Sequence, residues 1–367
     1  MAVALATCCA AAGLRVAPPL TARRGSSPVS WSDSAGWAQP SLAIPTTLAA
    51  PRVTGFKAEA QAQQVGERVG GARAPRDENV AGDFYVDHTC INCDVCRWMA
   101  PEVFAKIGPQ SAVFAQPGDE GTAVKALQAL LSCPTASIHS RESLSLVPRA
   151  RDAFPLPIHA SLPAVFHCGY HSRKSFGATS YLIQRASGNV MVDCPRYSEH
   201  LAEKLARMGG VRYIALTHRD DVADHARWAA RFKAERVLHA LEVQPDTADV
   251  EMILDGTGPW CLGSDLKIIF TPGHTEGSVS VLYKADGGAL FSGDHLAYAP
   301  NTESLSIMRR VNWYSVPVQV QSTKKLVGLP FLWLLPGHGR RFHFENEEQR
   351  DAMLQQVVAG EEALLRG

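Results

Sequence analysis

Four cysteines between residues 90 and 133 constrain the fold of this chain more than any other feature. Cys90, Cys93 and Cys96 are spaced C-x2-C-x2-C, and Cys133 follows later with Pro134 directly after it. Three thiolates from one tight loop and one from a distant segment suit a cubane iron–sulfur cluster, because each iron takes one. The alternative is a zinc knuckle, which usually uses two C-x2-C pairs and no third cysteine at this spacing. The pattern favours a cluster-binding module.

Residues 83–140, which contain these cysteines, resemble the single-cluster bacterial-type ferredoxins. The resemblance rests on the cysteine triplet, on the APEVF that follows it and on the Cys133-Pro134 pair. Family members that hold three irons often lose the middle cysteine. Because Cys93 is present, the resemblance implies a [4Fe–4S] cluster in an α+β ferredoxin-like domain. Six acidic residues against three basic ones fit a domain that docks to a redox partner by charge, and a solvated acidic face has the same composition.

The charge balance of the whole chain argues against two kinds of partner. Its 36 Lys and Arg equal its 36 Asp and Glu, and no basic run predicts a nucleic-acid footprint. No stretch approaches the roughly 18 consecutive apolar residues that indicate a membrane span. We therefore expect no nucleic acid and no membrane as partner. A length of 367 residues leaves room for about two domains and some extra chain.

Residues 1–58 have the composition of a targeting segment. They contain five basic residues against the single acid Asp33 and are otherwise rich in Ala, Ser, Thr and Pro. This composition is typical of an organelle transit peptide, and the Ser/Pro-rich continuation favours the chloroplast (stroma) over the mitochondrion. A secretory signal at the start is the alternative, but its positive first region is missing. Residues 59–82 and the proline-containing residues 141–160 are expected to be linkers.

From about residue 161, short β-type runs alternate with helical patterns, which is typical of an α/β domain. Residues of the kind that bind metals stand at the ends of several of these runs or at the start of the helix after one of them. They are His218, Asp224, His225, His274, Asp294 and His338. Any one of them alone is usual for a capping or solvent-facing residue. Their repeated occurrence at strand ends, with glycine beside several of them, predicts a metal centre at one edge of the sheets.

In chain order, the segments THRDDVADH, TPGHTEGS, FSGDH and LPGH resemble those of the metallo-β-lactamase superfamily. The resemblance covers about residues 161–365, and the domain is expected to span residues 161–367. It implies a four-layer αβ/βα sandwich with one or two divalent metals, zinc or iron/manganese, at its edge. Carried over by position, it also implies a ligand set: His218 and His274 for the first metal, Asp224, His225 and His338 for the second, and Asp294 as the bridge. Asp224 and Asp294 are the implied catalytic residues, because either could orient the attacking water.

The segment THRDDVADH departs from the family pattern T-H-x-H-x-D-H. It has no second histidine, and two extra residues precede its Asp-His. Asp220 is the obvious substitute ligand, with Asp221 close behind it, and a helix cap is the alternative for either. An oxygen ligand here favours iron or manganese over a histidine-rich zinc site. Diiron members such as the flavodiiron proteins also place a carboxylate at this position, but they keep the family spacing. The other outcome is a weakened or empty metal position.

Three functions follow from these observations. The leading interpretation is a metal-dependent hydrolase that attacks a small thioester, ester or lactone, with glyoxalase-II-like activation of water. The second is a redox enzyme in which the ferredoxin-like domain feeds electrons to a diiron site. The third is an electron-transfer or regulatory iron–sulfur protein with a degenerate sandwich domain. Arg340 and Arg341, just after His338, are candidates for binding an anionic substrate or belong to a solvated edge.

Overall fold

In the computed structural model, which describes residues 71–366 and the backbone of Leu14–Val16, two β-sheets lie face to face. The burial of alternate strand residues shows this arrangement. In the strand Val190–Val192 both valines are buried against the opposite sheet, whereas Met191 is buried against helices. In Ala289–Gly293, Phe291 faces the other sheet and Leu290 faces helices. Because successive side chains of a strand point to opposite faces, each sheet has an apolar layer on both sides.

The secondary structure elements are numbered in chain order. The helices are α1 (Val95–Met99), α2 (Glu120–Ser132), α3 (Val147–Asp152), α4 (Glu199–Arg207), α5 (His225–Phe232), α6 (Val316–Lys324) and α7 (Glu347–Arg366). The strands are β1 (Leu14–Val16), β2 (Phe84–Val86), β3 (Phe104–Ile107), β4 (Gln110–Val113), β5 (Ile138–Ser140), β6 (Leu156–His159), β7 (Leu162–His167), β8 (Tyr181–Ile183), β9 (Val190–Val192), β10 (Tyr213–Ala215), β11 (Glu235–His239), β12 (Met252–Leu254), β13 (Trp260–Cys261), β14 (Leu266–Phe270), β15 (Val279–Tyr283), β16 (Ala289–Gly293), β17 (Ala297–Ala299), β18 (Ser304–Ser306), β19 (Trp333–Pro336) and β20 (Phe342–His343).

The first sheet has the strand order β1-β12-β11-β10-β9-β8-β7-β6, and the second has the order β13-β14-β15-β16-β19-β20. Strands β9 to β12 are parallel, as are β16 and β19, and the remaining pairs within the two sheets are antiparallel. The edge strand β1 lies inside the predicted transit peptide. The rest of residues 1–58, and residues 59–70 of the predicted linker, lie outside the described residues.

Helices cover the outer face of each sheet. Leu201 and Leu205 of α4 and Trp228 of α5 are fully buried against the first sheet. Val320 of α6 and Leu354 of α7 are buried in the same way against the second. Burying a side chain of this size contributes about 2 kcal/mol. The order helix, sheet, sheet, helix confirms the predicted four-layer αβ/βα sandwich.

A smaller α+β domain, which contains the four cysteines and is called the cluster domain, precedes the sandwich. Its two short antiparallel pairs, β2–β5 and β3–β4, surround a core with helix α2 that includes Phe84, Phe104 and Leu127. The chain from Ala72 onward forms one compact unit, so this domain and the sandwich are in contact. No helix among residues 71–366 is both long and apolar enough to cross a membrane.

The structure corrects both predicted linkers. Part of residues 59–82 belongs to the small domain, because Arg76 is buried there and its guanidinium donates to the Ile107 carbonyl at 3.0 Å. Residues 141–160 are not an irregular connection either. They contain helix α3 and strand β6, and β6 pairs with β7 at the edge of the first sheet. The prolines hid this strand, but an edge strand tolerates proline because its outer N–H groups need no partner.

Candidate metal centre and cluster site

Metal-binding side chains meet where strands of both sheets end. His218 follows β10 of the first sheet, and His274, Asp294 and His338 follow β14, β16 and β19 of the second. The backbone N–H of Val279 donates to the carbonyl before His218, on Thr217, at 2.9 Å, which joins the two sheets at this edge. Parallel pairing of β16 with β19 brings Asp294 and His338 out of the second sheet side by side.

Four ligand atoms surround a first position. His218 Nε2 lies 3.8 Å from Asp220 Oδ2 and 3.9 Å from Asp294 Oδ2. His274 Nε2 lies 3.5 and 3.7 Å from the same two oxygens. Two ligand atoms that each lie about 2.1 Å from one ion are separated by roughly 3–4 Å. The spacing of these four atoms therefore suits a single ion.

A second position shares the Asp294 carboxylate with the first. His338 Nε2 lies 3.8 Å from Asp294 Oδ2 and 3.9 Å from Asp221 Oδ1. Gly337 makes room for these carboxylates, because a Cβ at Gly337 would stand 2.8 Å from Asp221 Oδ2 and 2.9 Å from Asp294 Oδ1. His338, Asp221 and Asp294 would therefore hold a second ion beside the first.

Several of these atoms are buried without a hydrogen-bond partner. They are His218 Nε2, Asp220 Oδ2, both carboxylate oxygens of Asp221, His274 Nε2 and Asp294 Oδ1. A buried polar atom left without a partner costs about 1–3 kcal/mol, and a charged one costs more. Cations between these atoms would satisfy them together. The residues therefore fit a pair of metal ions.

Burial shifts the pKa values of two of the ligands. Burial raises the pKa of Asp221 well above its ordinary value, and the charges of Asp294, Asp193 and Asp220 raise it further. Burial also lowers the pKa of His218, which keeps its imidazole neutral. A neutral imidazole is the form that binds a metal, whereas Asp221 exchanges its proton for a cation.

A hydrogen-bond chain fixes the orientation of His218. The Thr217 hydroxyl donates to both carboxylate oxygens of Asp193, at 3.1 and 3.0 Å. Its oxygen can then accept from His218 Nδ1, which lies 2.9 Å away. We infer that His218 carries its proton on Nδ1 and turns the lone pair of Nε2 toward the metal centre. Such partners fix the tautomer and raise the basicity of a metal-binding histidine.

The structure brings together His218, Asp220, His274, Asp294 and His338, but not Asp224 or His225. Asp224 Oδ1 accepts from Lys174 Nζ at 2.7 Å, and its Oδ2 accepts from the Tyr197 backbone N–H at 2.8 Å. His225 Nδ1 lies 3.3 Å from Arg236 Nη1. Asp221 takes the place predicted for this pair, because the two extra residues carry Asp-His past the centre to the start of α5. The predicted ligand roles of both residues and the predicted catalytic role of Asp224 are corrected accordingly.

The four predicted cluster ligands line one small cavity of the ferredoxin-like domain. They are Cys90, Cys93, Cys96 and Cys133, and all four are free thiols. Asn92 and Asp94, between the first three, have left-handed φ values of 59° and 72°. Asn and Asp adopt this conformation more readily than most residues, so the sequence CINCDVC can wind tightly around one point. Apolar side chains such as Val86 and Ile138 complete the cavity wall.

Backbone hydrogen bonds and burial adapt these sulfurs to a cluster. The Asn92 N–H donates to Cys90 Sγ at 3.4 Å, and the Ser137 N–H donates to Cys133 Sγ at 3.3 Å. Burial raises the pKa values of Cys93 and Cys96 to about 12. These two thiols therefore keep their protons near neutral pH until iron replaces them.

The cluster domain contacts the sandwich next to the metal centre. Arg340 lies two residues after His338. Its Nε is 2.7 Å from Oδ2 of Asp94, which belongs to the cluster loop, residues 90–96. The Arg341 guanidinium lies 4.5 Å from the centre of the Trp98 ring. Both arginines are therefore engaged by the cluster domain and do not form a merely solvated edge.

An open cleft leads to Asp220 from the solvent. Its lining residues are Lys174, Phe176, Arg219, Asp220, Val222, Ala223 and Asp246. Phe176 is 73% exposed, and it lies in a loop that begins near His171. The cleft gives a small molecule access to Asp220 of the first metal position.

The cluster domain is similar to a known family. Residues 86–140 match the family described as the 4Fe-4S single cluster domain of Ferredoxin I. All four cysteines lie within the matched residues. The match supports a single [4Fe–4S] cluster at this site.

Individual relatives are more distant. The uncharacterized protein YmaE of Bacillus subtilis (strain 168) is 28% identical over 149 residues, which are 39% of this chain and 52% of YmaE. The chain thus spans about half the length of YmaE. A metallo-beta-lactamase from Cronobacter sakazakii is 18% identical with a TM-score of 0.40, over 57% of this chain and 95% of its own. A metallo-beta-lactamase family protein from Thermus thermophilus is 17% identical with a TM-score of 0.40, over 56% and 82%. The two sheets and their covering helices define the fold independently of these similarities.

Proposed function

We propose that this chain is an oxidoreductase in which a [4Fe–4S] cluster serves a pair of iron ions in the sandwich. One observation carries the proposal. Asp94, next to the cluster ligand Cys93, forms an ion pair with Arg340, two residues after the metal-ligand candidate His338. An electron carrier that contacts the loop carrying a ligand of a second metal centre suits an enzyme that moves electrons between them.

The ligand atoms of the metal centre in the sandwich favour iron. It consists of three carboxylates and three imidazoles: Asp220, Asp221, Asp294, His218, His274 and His338. Oxygen donors favour iron and manganese relative to the nitrogen- and sulfur-rich sites of zinc. When bound, the cluster would supply single electrons, and the iron pair would supply a change of oxidation state and open positions for a small molecule.

The residues of the chain have separate tasks in this proposal. Asp294 would contribute a ligand to both metal positions, and Asp193 with Thr217 orients His218. Lys174, Arg219, Asp220 and Asp246 give the cleft charged groups of both signs, which favours a small polar substrate. The reducing partner is proposed to be a one-electron carrier that docks on the cluster domain.

An anaerobic count of metal and acid-labile sulfide on the full chain tests the proposal. We expect about six irons and four sulfides per chain, that is, two irons beyond the cluster. Dithionite, added one electron at a time, should then give the electron paramagnetic resonance (EPR) signal of a mixed-valent iron pair as well as that of the reduced cluster. Zinc at the two sandwich positions, or irons there that no reductant changes, would overturn the redox assignment.

A metal-dependent hydrolase is the second candidate, and the open cleft that reaches Asp220 favours it. The reaction would add water to a carbonyl group: a thioester or ester would give a carboxylic acid and a thiol or alcohol, and a lactone would open to a hydroxy acid. Thioester turnover by the zinc-loaded chain, at the same rate with the cluster oxidised or reduced, would select this candidate. A degenerate sandwich is disfavoured, because it would leave buried carboxylate and imidazole atoms without partners.

We also propose that residues 1–58 direct the chain to the chloroplast stroma, on the composition described above. The experiment is a fusion of these residues to a fluorescent protein in plant cells. Fluorescence within chloroplasts is the expected result. Mitochondrial fluorescence would select the second choice, and cytosolic fluorescence would contradict targeting.

A further inference from the structure

The loop after β19 connects the two centres through its side chains. It begins with the ligand candidate His338 and continues to Arg340 and Arg341. Arg340 makes two contacts with the Asp94 carboxylate, Nε to Oδ2 at 2.7 Å and Nη2 to Oδ1 at 3.1 Å. Arg341 covers the Trp98 ring. The side chains that follow His338 thus rest on the cluster domain.

Asp94 and Trp98 are part of the structure that forms around the cluster. Asp94 lies between the ligands Cys93 and Cys96, and its carboxylate also accepts from Arg97. Trp98 lies in α1, the helix that contains Cys96. Because the cluster binds both cysteines, it holds the loop and the start of α1 in place. The partners of Arg340 and Arg341 are therefore positioned by cluster assembly.

A backbone contact leads to the same place. Gly177 of the sandwich lies against Cys93, and Thr179, two residues on, donates its N–H to the Gly337 carbonyl at 2.7 Å. Gly337 directly precedes His338. Contacts that lead to the cluster domain therefore lie on both sides of His338 in the chain, at Gly337 before it and at Arg340 and Arg341 after it.

Contacts within the sandwich orient two ligands of the first metal position. Its ligand His218 is oriented by Thr217 and Asp193, and the His274 carbonyl accepts from the Trp313 N–H at 2.9 Å. All of these residues belong to the sandwich. The two metal positions therefore differ in what holds their ligands.

We propose that Arg340 and Arg341 are positioning residues that couple cluster assembly to metal binding. With the cluster in place they hold His338 at the second metal position, so this position binds its ion more tightly in the cluster-loaded chain. The first position binds independently of the cluster. The inference rests on the metal pair of the proposed function but not on the reaction that the pair performs.

Manganese binding to the full chain provides the experiment. The sandwich metals are removed with a mild chelator, the oxidised cluster is retained, and free Mn²⁺ is followed by EPR during titration. We expect two ions per wild-type chain and, for Arg340→Gln, an unchanged first dissociation constant with a second one about 10-fold weaker. Asp94→Asn should act in the same way, since asparagine tolerates the left-handed backbone of this position.

Three further chains make the result specific. Lys125→Gln removes one positive charge from a half-exposed ion pair with Glu102 inside the cluster domain and should change neither constant. Arg340→Lys keeps the charge and should recover part of the second affinity. Wild-type chain from which the cluster has been removed should resemble Arg340→Gln.

Two outcomes would overturn the inference. One is a second dissociation constant that Arg340→Gln leaves within about 2-fold of wild type at full cluster content. The other is an equal weakening of both constants, which would indicate general loosening of the sandwich. Failure of the wild-type chain to bind two ions would instead contradict the metal pair itself, so the two failures are distinguishable.

Discussion

Gly177 lies directly against Cys93. A Cβ added to Gly177 would stand 2.9 Å from the Cys93 Cβ and 3.3 Å from its sulfur, and Gly177 has a φ of +89°. Gly177 belongs to the sandwich, whereas Cys93 belongs to the cluster loop. The two domains therefore meet at the wall of the cluster cavity. A substitution at this point of the sandwich is expected to affect how firmly the cluster is held.

Gly177→Ala should weaken cluster retention. The added methyl group meets Cys93 in a backbone conformation that costs a non-glycine residue about 1–2 kcal/mol. We expect faster loss of cluster absorbance in the presence of an iron chelator. Gly256→Ala is the matched control, because Gly256 has a similar φ of +82° with nothing within 4 Å of the added Cβ. Equal cluster loss in both variants would show that the backbone strain, and not the contact with Cys93, is responsible.

Asp221→Asn should lower the metal content of the sandwich, whereas Asp224→Asn should leave it unchanged. Asp221 Oδ1 is a ligand candidate at the second position, whereas Asp224 is bound by Lys174 and the Tyr197 backbone. We expect Asp221→Asn to retain one sandwich metal and Asp224→Asn to retain two, measured by equilibrium dialysis against Mn²⁺. Loss of one ion from the Asp224 variant alone would restore the ligand set that the resemblance implied.

Thr217→Val should weaken the first metal position. The change removes the hydroxyl that lies between Asp193 and His218 Nδ1 and leaves the buried Asp193 carboxylate with fewer donors. Loss of such a partner typically lowers metal affinity about 10- to 100-fold. Thr247→Val is the control, since Thr247 is equally buried but bonds only to the Gln244 backbone. Similar metal affinity in the two variants would contradict the orienting role.

Stability should fall as the pH is lowered through the range in which His171 would be protonated. Burial is the main cause that lowers the pKa of His171 from 6.5 to about 4. Between these values the unfolded chain binds more protons than the folded chain, so stability decreases with decreasing pH and is unaffected above 6.5. The loss is on the order of 1 kcal/mol per pH unit.

His171→Asn tests this pH dependence. The amide keeps a donor for the Gly177 carbonyl, which His171 Nδ1 contacts at 2.7 Å, but it does not titrate. We expect the thermal midpoint of the variant to fall less than that of the wild type between pH 6.5 and pH 4. Parallel curves would show that His171 does not contribute to the pH dependence.

The candidate metal centre was predictable from sequence only in part. His218, His274, Asp294 and His338 each follow a recognisable strand, and tight turns after parallel strands bring such residues to one edge. The choice between Asp221 and Asp224 was not predictable in this way. It depends on where the chain turns into α5, and two extra residues move that point without leaving a periodic signal.

The contacts between the domains carried even less sequence signal. Arg340 and Arg341 have the composition of an exposed edge, and their partners Asp94 and Trp98 are more than 200 residues away in the chain. His171 and Gly177 lie outside every recognisable motif. No local pattern pairs such residues, because their contacts follow from how the two domains pack together.

The sequence by itself determined the chemistry and the layers of this protein. Cysteine spacing defines a four-thiolate site, and alternating apolar residues define two sheets with helices outside, because ligand number and strand periodicity are local properties. Only the tertiary structure decided which carboxylates enter the metal centre and that the cluster domain rests against it. Those relationships depend on distances between segments far apart in the chain, and such distances exist only once the chain has folded.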